Sequence, residues 1–341
     1  MEKLSYKVGT FSTDVYYGKL NESTDTLKSY KNALWIVDDN TERFLPAFAQ
    51  RVVKLPQGEH NKTWVSIEKI LNTAINLSFG RDDTIIGLGG GVICDMAGFA
   101  ASVYMRGCKL VLIPSTLLAM NDASLGGKTG IDYQGYKNLL GAFYPASEIY
   151  VFTDIVQTLT DRDYLSGLAE IIKHAFLNGN EFIEYLHENK KLILSRDIDC
   201  LSNIIPRSLN IKGDIVENDP REQGKRAFLN LGHTFGHALE TVSQFDITHG
   251  EGVAWGIGKA MDTGVRMQIT DPSYADAVKR ILAEYGYELS YPSYDPKEIL
   301  KAMQMDKKKQ SGDIRFVLQK GAADTVITTV PEDILIDVLS N

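Results

Sequence analysis

Three of the six histidines of this chain lie between residues 233 and 249, and their spacing suits metal chemistry. His233 and His237 are four residues apart, which places both side chains on one face of a helix, one turn from each other. With His249 and a carboxylate they form a nitrogen and oxygen donor set that suits zinc. Two core histidines that bind only protein groups fit the same spacing, but the nearby His249 and Glu251 favour a metal site.

The candidate carboxylate lies upstream, inside an apolar stretch. Glu170 occurs in the sequence Leu168-Ala169-Glu170-Ile171-Ile172. A carboxylate among apolar residues is costly unless it has a partner. A metal cation is one such partner and Lys173 is another, whereas a Glu170–Lys173 pair on a helix surface is the purely structural alternative.

A glycine-rich segment after an apolar run predicts a nucleotide site. Gly89, Gly90 and Gly91 precede Val92–Phe99, which has helical character. Glycine allows close approach of a pyrophosphate, and a helix N-terminus offers unpaired N–H groups. The segment lacks the usual G-x-G-x-x-G spacing, so a tight strand-to-helix turn is the alternative interpretation.

Polar residues follow the neighbouring apolar runs. Asp38 comes just after the first run, where it suits either the hydroxyls of a ribose or the capping of a following helix. Ser115 and Thr116 follow the third run, where phosphate binding and helix capping explain them equally well. Both positions suit a cofactor bound at the ends of parallel strands.

Basic residues occur in short motifs along the chain. In Gly126-Gly127-Lys128-Thr129, glycines stand beside a lysine and a threonine and can wrap an anion. The motif lacks P-loop spacing, which argues against a nucleoside triphosphate site of that type. The other basic candidates are Arg106, Lys137, Lys212, Arg226, Lys307 and Lys308. Each alone is most often a solvated charge, but if they converge in one cleft they suit a small substrate with phosphate and carboxylate groups.

The elements that must position these residues change character along the chain. The runs 33–37, 84–88 and 109–113 predict buried parallel strands. Between them, 62–78 has helical spacing, with an apolar side formed by Val65, Ile67, Ile70, Leu71, Ala74 and Ile75. This β-α-β order predicts a Rossmann-like parallel sheet covered by helices.

Beyond about residue 155 helical patterns dominate. The predicted helices are 161–177, 181–194, 198–216, 230–242, 251–267, 274–286 and 296–305, and a short strand is predicted at 314–318. Pro206 is expected to break or kink the third helix. The sequence therefore predicts an α/β domain over 1–155 and a mostly α-helical domain over 156–341.

Composition excludes several functional classes. The chain has 341 residues, a formal net charge of −8 and 44% hydrophobic residues, which is typical of a soluble protein with two ordinary domains. Net acidity argues against nucleic-acid binding, and no apolar run is long enough to span a membrane. The N-terminus lacks a signal-peptide core, and the scattered Cys94, Cys108 and Cys200 imply no disulfide framework. The cytoplasm is the expected compartment.

Taken together, the motifs resemble those of the 3-dehydroquinate synthases, a family of the sugar phosphate cyclases. The resemblance runs from about Leu55 to Leu318. It is carried by GGGVICDMAGFAASVYMRG, SLGGKTG, KNLLGAFYPA, SGLAEIIKHA, and LNLGHTFGHALE followed by HGE. It implies an N-terminal parallel α/β domain that binds NAD and a C-terminal α-helical domain that binds metal and substrate.

The resemblance also implies roles for individual residues. The metal ligands are Glu170, His233 and His249, which leaves His237 as a neighbour able to carry a proton. The catalytic positions are Lys128, Lys173, Lys212, Asn230 and His237. The substrate-binding positions are Arg106, Asp122, Lys128, Asn138, Arg226 and Lys308. The NAD-contacting positions are Asp38, Glu59, Lys62, Gly90, Gly91, Val92, Asp95, Ser115, Thr116, Lys137, Thr158 and Leu159.

The implied reaction converts 3-deoxy-D-arabino-heptulosonate 7-phosphate to 3-dehydroquinate and phosphate, a step of the shikimate pathway. It combines transient oxidation of the C5 hydroxyl by NAD, β-elimination of phosphate, return of the hydride and an intramolecular aldol closure. Zinc is the implied metal, and cobalt fits the same ligands. In the family the arginine at position 106 reaches the phosphate site of the adjacent subunit, so a homodimer is implied.

This chain departs from the family pattern beside the predicted site. Met120-Asn121 stands where the family commonly has Gln-Val, and Asp132-Tyr133 replaces a common Asn-His. These changes keep three alternatives open. They are a cyclase of the 2-epi-5-epi-valiolone or 2-deoxy-scyllo-inosose synthase type, a glycerol-dehydrogenase-like enzyme, and a homologue that binds NAD or a partner without turnover. The retained Lys128, Arg226, Asn230, His237 and Lys308 favour the dehydroquinate enzyme, because its substrate is negatively charged at both ends.

Overall fold

The computed structural model describes residues 1–244, 246–309 and 314–340, without the side chains of Thr24 and 306–309. The chain forms two compact units. The first, here called the α/β unit, contains Met1–Thr160 and Leu201–Pro220. The second, the helical unit, contains Asp161–Cys200 and Arg221–Asn341.

The α/β unit is built on a parallel sheet. Its strands are β1 (Glu2–Val8), β2 (Phe11–Gly18), β3 (Leu34–Asp38), β4 (Val52–Leu55), β5 (Thr84–Gly89), β6 (Lys109–Pro114), β7 (Lys128–Tyr133), β8 (Tyr136–Phe143) and β9 (Glu148–Phe152). Seven of them form one sheet in the order β1-β2-β9-β6-β5-β3-β4. All neighbours pair in parallel except β1 with β2, so the predicted parallel sheet is confirmed with an antiparallel strand at one edge.

The three strands predicted from apolar runs, β3, β5 and β6, lie next to one another inside this sheet. Because both faces of these strands are covered, their residues are apolar without alternation. The strands β7 and β8 form a separate antiparallel hairpin, with Tyr133 opposite Tyr136. Its two-residue turn, Gln134-Gly135, has positive φ at both positions, as hairpin turns of this length require.

The helices of the α/β unit are α1 (Thr24–Leu27), α2 (Trp64–Asn76) and α3 (Gly91–Val103), together with most of α7 (Ile198–Asn218). The predicted apolar side of α2 is only partly correct. Ile67, Ile70 and Ala74 are buried, but Val65 and Ile75 are 74% and 62% exposed. A buried stripe at positions i, i+3 and i+7 is narrower than the predicted face, and Val65 and Ile75 fall outside it.

Residues 201–220 join the α/β unit, although the sequence places them in the second domain. The hydroxyl of Tyr6 in β1 donates to Oδ1 of Asn210 at 2.8 Å. A Cβ at Gly213 would lie 2.1 Å from the ring of Tyr6, so glycine is what allows α7 to approach β1 this closely. The helix is also continuous through Pro206, so the predicted break there is wrong.

The helical unit contains α4 (Asp161–Asn178), α5 (Asn180–Glu188), α6 (Lys190–Leu194), α8 (His233–Val242), α9 (His249–Arg266), α10 (Pro272–Glu284), α11 (Pro296–Lys309) and α12 (Glu332–Ser340). It also contains the antiparallel pair β10 (Arg315–Gly321) and β11 (Asp324–Thr329). The predicted helix 181–194 is two helices separated at Asn189. The helix predicted from 230 begins at His233, because Lys225–Asn230 forms a 3₁₀ helix.

Two further observations bear on the class of protein. Among the helices that the structure describes, none combines the length and the apolar character needed to cross a bilayer. Cys94, Cys108 and Cys200 are free and buried, as expected from their scattered positions.

Candidate functional site

Three helices of the helical unit bring a carboxylate and two imidazoles together. Glu170 lies on α4, His233 is the first residue of α8, and His249 is the first residue of α9. Oε1 of Glu170 lies 3.6 Å from Nε2 of His233 and 3.3 Å from Nε2 of His249. One donor atom from each residue lies within 4.8 Å of the others. The three side chains therefore converge on one point, as a metal site requires.

The Glu170 carboxylate is completely buried, and Lys173 beside it on α4 forms an ion pair with Oε2. Burial alone raises the pKa of this carboxyl, but the charge of Lys173 and the hydrogen bond with His249 hold it well below its usual range. Glu170 is therefore ionised at neutral pH. The alternative of an exposed helix-surface pair is wrong, because both partners are inside the unit.

The two histidines have different protonation properties. Burial, followed by the charge of Lys173, lowers the pKa of His233 well below its usual value, so its imidazole is neutral. Burial also acts to lower the pKa of His249, but its hydrogen bonds with Glu170 and Glu240 raise it to about 10. To hold a metal at this site, Nε2 of His249 would have to lose its proton, because only an unprotonated nitrogen coordinates.

The start of α9 is fixed by a capping box. The Thr248 hydroxyl accepts from the N–H of Glu251, and the Glu251 carboxylate accepts from the N–H of Thr248 at 2.6 Å. The same carboxylate pairs with Arg162 of α4 at 3.0 Å. Glu251, which the sequence offers as a carboxylate near the histidines, therefore anchors the helix that presents His249.

The position after His249 requires glycine because α9 approaches α4 closely there. The N–H of Gly250 donates to the hydroxyl of Ser166 at 3.1 Å. A Cβ at Gly250 would lie 2.2 Å from the backbone oxygen of Ser166. Because Ser166 precedes Glu170 by one turn of α4, this close approach sets His249 beside Glu170.

A second set of glycines brings α8 against α9. A Cβ at Gly236 would lie 2.7 Å from the carbonyl oxygen of Gly252, and one at Gly256 would lie 2.0 Å from that of Gly232. Glycine at these positions therefore allows the close approach of the two helices. At the start of α8, Nδ1 of His233 lies 3.3 Å from the Leu231 carbonyl. A carbonyl only accepts, so this contact favours the proton on Nδ1 and leaves Nε2 facing Glu170.

The donor set fits a divalent metal. The Glu170 carboxylate is fully buried, with Oε2 paired to Lys173 and Oε1 facing Nε2 of both His233 and His249. A cation held at Oε1 by the two imidazoles would further offset the cost of burying this charge. Two imidazole nitrogens and one carboxylate oxygen match the three protein ligands of catalytic zinc sites, which keep a further position open. Glu170, His233 and His249 are thus suited to hold the ion.

The other predicted residues of the helical unit surround this cluster to different extents. His237 lies one turn after His233, and the centroids of the two rings are 5.1 Å apart. The ring centroid of His237 lies 5.8 Å from that of His249. Arg226 is buried, and Nδ2 of Asn230 donates to Glu222 at 2.7 Å. The Lys308 side chain lies outside the described residues. The structure thus brings His237 and Lys173 to the cluster itself.

In the α/β unit, three predicted positions share one edge of the sheet. Asp38 ends β3, Gly90 follows β5 and Ser115 follows β6. The parallel pairing of β3 with β5 and of β5 with β6 places these carboxyl ends side by side. Ligands of open α/β sheets bind at this edge, so the geometry suits a nucleotide.

The glycines of the turn after β5 serve close packing. A Cβ at Gly89 would lie 2.5 Å from Cβ of Ile93, and one at Gly87 would lie 2.7 Å from Cβ of Ala97. Gly90 is the N-cap of α3 with φ −70°, so left-handed backbone is not the reason for this residue. The glycines bring the N-terminus of α3 against the strand end, where its N–H groups suit an anion.

The hydroxyl and carboxylate side chains at this edge also stabilise local turns. Oδ1 of Asp38 accepts from the N–H groups of Asn40 and Thr41, both at 3.0 Å. Oγ1 of Thr116 accepts from the N–H of Ala119 at 3.1 Å, and Ser115 is buried. Capping, which the sequence offers as one of two explanations for Asp38 and Thr116, is therefore present.

A buried lysine links the predicted cofactor and substrate positions of the α/β unit. Nζ of Lys62 lies 2.6 Å from Oδ2 of Asp95 and 2.5 Å from Oδ1 of Asn138. Burial raises the pKa of Asp95 to about 6, against the lowering effect of Lys62. Glu59 lies 4.0 Å from Nζ of both Lys62 and Lys137. These five residues form one connected polar group.

The Gly126-Gly127 turn leads directly into β7, and its ability to wrap an anion stays a prediction. Both glycines have positive φ, and a Cβ at Gly127 would lie 2.7 Å from Pro145. Lys128 follows as the exposed first residue of β7. Elsewhere in the same unit, Lys212 of α7 forms an ion pair with Asp122, so two predicted substrate and catalytic residues are in contact.

The remaining predicted residues of this unit lie at its surface or in a short 3₁₀ segment. Arg106 is exposed in a turn where Met105, Arg106 and Gly107 have φ values of 48°, 65° and 120°. Thr158 ends the 3₁₀ segment after β9 and donates to the Ile155 carbonyl at 2.8 Å, and Leu159 follows it.

Comparison with known proteins decides the family. The chain matches the 3-dehydroquinate synthase N-terminal family over residues 52–166 and the 3-dehydroquinate synthase C-terminal family over residues 167–309. It is also 34% identical to the 3-dehydroquinate synthase of Ruminiclostridium cellulolyticum over 98% of this chain and 96% of that protein. The chain belongs to the 3-dehydroquinate synthase family. The resemblance drawn from the sequence motifs is thereby confirmed.

Solved structures share the fold of this 3-dehydroquinate synthase family member. A 2-deoxy-scyllo-inosose synthase complexed with carbaglucose-6-phosphate, NAD+ and Co2+ matches with a TM-score of 0.90 and 23% identity, covering 99% of each chain. The 2-epi-5-epi-valiolone synthase of Streptomyces hygroscopicus, with NAD+ and Zn2+ bound, matches with a TM-score of 0.87 and 21% identity, covering 99% of this chain and 97% of that one. At these identities the likeness establishes the fold class.

Sequence reasoning missed one polar residue of the cluster. Glu240 of α8 is buried, and its Oε1 lies 3.0 Å from Nδ1 of His249. The signal was available, since Glu240 follows His233 by seven residues and His237 by three, which places all three on one helix face. This member of the 3-dehydroquinate synthase family thus presents two histidines and a glutamate on α8 toward the start of α9.

Proposed function

We propose that the protein is a 3-dehydroquinate synthase that converts 3-deoxy-D-arabino-heptulosonate 7-phosphate to 3-dehydroquinate and phosphate in the shikimate pathway. The observation that carries the proposal is the convergence of Glu170, His233 and His249 in a chain of this family. The curated relative with this name covers nearly the whole chain, which supports the same overall reaction. The cytoplasmic location stays a prediction from the sequence.

The cofactors we propose are NAD and a divalent metal, with zinc as the native ion. Related cyclases of the same fold carry NAD+ together with Co2+ or Zn2+, which supports this pair. When bound, NAD supplies a reversible hydride acceptor and the metal ion a Lewis acid for the substrate hydroxyls. Glu170, His233 and His249 would hold the metal, and the carboxyl edge of β3, β5 and β6 would hold NAD.

In the helical unit, side chains prepare the site for this chemistry. Lys173 keeps Glu170 ionised in a buried position, and His233 stays neutral, so both present lone pairs to a cation. His237 lies on the same helix face as His233 and is exposed. We assign it the transfer of a proton at the reacting carbon or the leaving phosphate oxygen, because an imidazole changes charge near neutral pH.

Basic residues of each unit are proposed to contribute to binding the phosphate and carboxylate groups of the substrate. In the α/β unit these are Lys128 and Lys212, with Asp122 orienting Lys212 through their ion pair. In the helical unit they are Arg226 and Lys308. An Arg guanidinium forms bidentate contacts with phosphate or carboxylate, while a Lys acts as a point charge, so the set suits a substrate with both groups.

We further propose a homodimer in which Arg106 serves the partner subunit. Arg106 and Met105 are non-glycine residues in left-handed backbone, a conformation that costs energy and tends to occur at functional positions. Both are exposed on the α/β unit, and Val103 beside them is 41% exposed. A turn held in this way presents the guanidinium outward.

The dimer is tested by mixing inactive variants. In a mixed dimer of Arg106→Ala with Lys128→Ala, one site regains both residues if Arg106 acts across the interface. We expect each homodimer to be weakly active and the mixture to recover up to about half the wild-type activity of its mixed dimers. Mixed dimers that form and stay inactive would contradict a shared site.

The reaction is tested with purified protein, NAD, zinc and the heptulosonate phosphate. We expect phosphate release and appearance of 3-dehydroquinate without accumulation of NADH. Absence of phosphate release, with NAD and zinc shown to be bound, would reject the proposal. The same assay with heptulose phosphates that lack the carboxylate tests the other cyclases, and NADH accumulation with a polyol would indicate a glycerol-dehydrogenase-like enzyme.

A further inference from the structure

Glu240 is a buried acid to which the proposed reaction gives no role. Its side chain is 8% exposed and lies on α8, on the face that carries His233 and His237. A buried carboxylate costs several kcal/mol of free energy unless a partner compensates it. An apolar residue would fill the same volume at a lower free-energy cost of burial. The role of Glu240 must therefore lie in the contacts of its carboxylate.

The ring of His249 lies between two carboxylates, one of which is Glu240. Oε1 of Glu240 lies 3.0 Å from Nδ1 of His249, while Nε2 of the same ring lies 3.3 Å from Oε1 of Glu170. A carboxylate accepts hydrogen bonds, so Nδ1 of His249 must be the donor toward Glu240. With the proton held on Nδ1, Nε2 is the nitrogen left to bind a cation beside Glu170 and His233.

The backbone around Glu240 leaves it little freedom. Gly252 of α9 faces it, and a Cβ at Gly252 would lie 3.4 Å from Cγ and 3.5 Å from Oε1 of Glu240. The glycine contacts between α8 and α9 described above hold the two helices at a fixed separation. The distance between Glu240 and His249 is therefore set by helix packing and not by a flexible loop.

We propose that Glu240 is a positioning residue that fixes the ring orientation and the Nδ1–H tautomer of His249, so that Nε2 faces the metal. Hydrogen bonds from a carboxylate to the second nitrogen of a histidine ligand set its orientation and raise its basicity. The inference rests on the metal site of the proposed function and not on the identity of the substrate. It assigns Glu240 no contact with substrate or metal.

The test compares metal binding in Glu240→Ala, Glu240→Gln and Glu251→Gln. Zinc affinity is measured by competition with a chromophoric chelator, and Co2+ is used as a visible probe of coordination. We expect Glu240→Ala to lower zinc affinity by about 10- to 100-fold and to change the Co2+ absorption bands. Glu240→Gln should weaken zinc binding by about 2- to 10-fold, because its amide oxygen still accepts from Nδ1–H but is a weaker acceptor than a carboxylate.

Glu251→Gln is the matched control. It carries the same substitution two residues from His249, in a carboxylate that caps α9 and pairs with Arg162. The amide oxygen of Gln still accepts from the N–H of Thr248, so α9 keeps its cap and loses only the charge pairing with Arg162. We therefore expect a slightly lower unfolding temperature, a zinc affinity within about twofold of wild type and unchanged Co2+ bands. A loss of zinc affinity as large as that of Glu240→Gln would attribute the effect to general loosening of α9 and overturn the assignment.

Two outcomes for Glu240 decide the inference. If Glu240→Ala binds zinc as tightly as wild type with the same Co2+ spectrum, the positioning role is wrong. If Glu240→Ala does not fold, Glu240→Gln decides, because it preserves the shape, and an unchanged affinity and spectrum again reject the role. No substrate enters these measurements, so failure of the proposed reaction in wild type, with zinc bound, would leave this inference standing.

Discussion

The helical unit and the α/β unit build their candidate sites by different means. In the helical unit, the site consists of side chains from α4, α8 and α9. His233 follows Glu170 by 63 residues in the sequence, and His249 follows it by 79. In the α/β unit, the central part of the site is backbone, formed where β5 passes into α3. A site of distant side chains depends on how helices pack, whereas a backbone turn depends mostly on its own residues.

Glycine illustrates the difference. In the helical unit, Gly250 brings α9 against Ser166, more than eighty positions earlier in the chain. In the α/β unit, Gly89 makes room for Ile93, four residues later. A substitution should therefore affect metal binding in the first case and NAD binding in the second, and the predictions below separate the two.

The largest effect is expected from His249→Ala, which removes a proposed metal ligand. We predict loss of bound zinc and a fall in activity of about 10³-fold or more, because a Lewis acid contributes several kcal/mol to such reactions. NAD affinity should stay within about twofold of wild type, since the two sites are built separately. Metal content by elemental analysis and NAD titration check both. The control is His187→Ala, which removes a histidine whose side chain is 64% exposed. Retention of stoichiometric zinc by His249→Ala would contradict the assignment.

The next largest effect is expected from Gly250→Ala. The new Cβ would meet backbone of α4, which cannot move aside like a flexible side chain. We predict about 1–3 kcal/mol lower stability and zinc affinity reduced about tenfold or more, because His249 shifts away from Glu170. Chelator competition and thermal unfolding measure the two effects.

The control for this substitution lies on the same helix. A Cβ at Gly258 would have ordinary contact with Leu289 at 3.8 Å. Gly258→Ala should therefore keep its zinc affinity. Its free energy of unfolding should rise by about 0.5–1 kcal/mol, because alanine favours the helical conformation more than glycine does. Equal zinc affinities in the two variants would show that the contact of α9 with Ser166 does not position His249.

Gly89→Ala tests the backbone site. The added Cβ would lie 2.5 Å from Cβ of Ile93, so the start of α3 must shift. We predict about 1–3 kcal/mol lower stability and weaker NAD binding, with zinc affinity unchanged. Gly321→Ala, where no atom lies within 4 Å of the new Cβ, is the control. Unchanged NAD affinity in a folded Gly89→Ala protein would place the nucleotide elsewhere.

The smallest effect concerns pH and Asp95. Burial raises the pKa of this carboxyl from 3.8 to about 6, so the ionised form, which accepts hydrogen bonds at this proposed NAD-contacting position, is present above that pH and is lost below it. NAD affinity should fall by up to about tenfold between pH 7 and pH 5. Titration of NAD at both values measures the change. Asp95→Asn should bind weakly with little pH dependence, and an unchanged slope in this variant would assign the effect to another group.

Features that depend on local pattern could be predicted from the sequence. The buried strands β3, β5 and β6 were evident because continuous apolar runs mark strands covered on both faces. The helices α4 and α9 were evident from their apolar periodicity, with ends correct to within two residues.

Features that depend on distant packing could not be predicted in the same way. The hairpin of β7 and β8 was missed because Tyr136, Leu139 and Phe143 are exposed and give no buried alternation. The role of Gly250 depends on Ser166, and that of Glu251 on Arg162, both on another helix. The motif His249-Gly250-Glu251 resembles a set of metal ligands. In the structure, Gly250 and Glu251 instead position His249 through their contacts with α4.

The most direct test of the proposed reaction follows the hydrogen atom on the carbon that bears the C5 hydroxyl. Substrate carrying deuterium on the carbon of its C5 hydroxyl is converted by the protein in the presence of zinc and unlabelled NAD, and the product is examined by mass spectrometry and NMR. We expect 3-dehydroquinate to retain the deuterium on that carbon, because NAD is reduced and reoxidised within one turnover. Loss of the label, or its accumulation in NADH, would contradict a cyclase and indicate net oxidation.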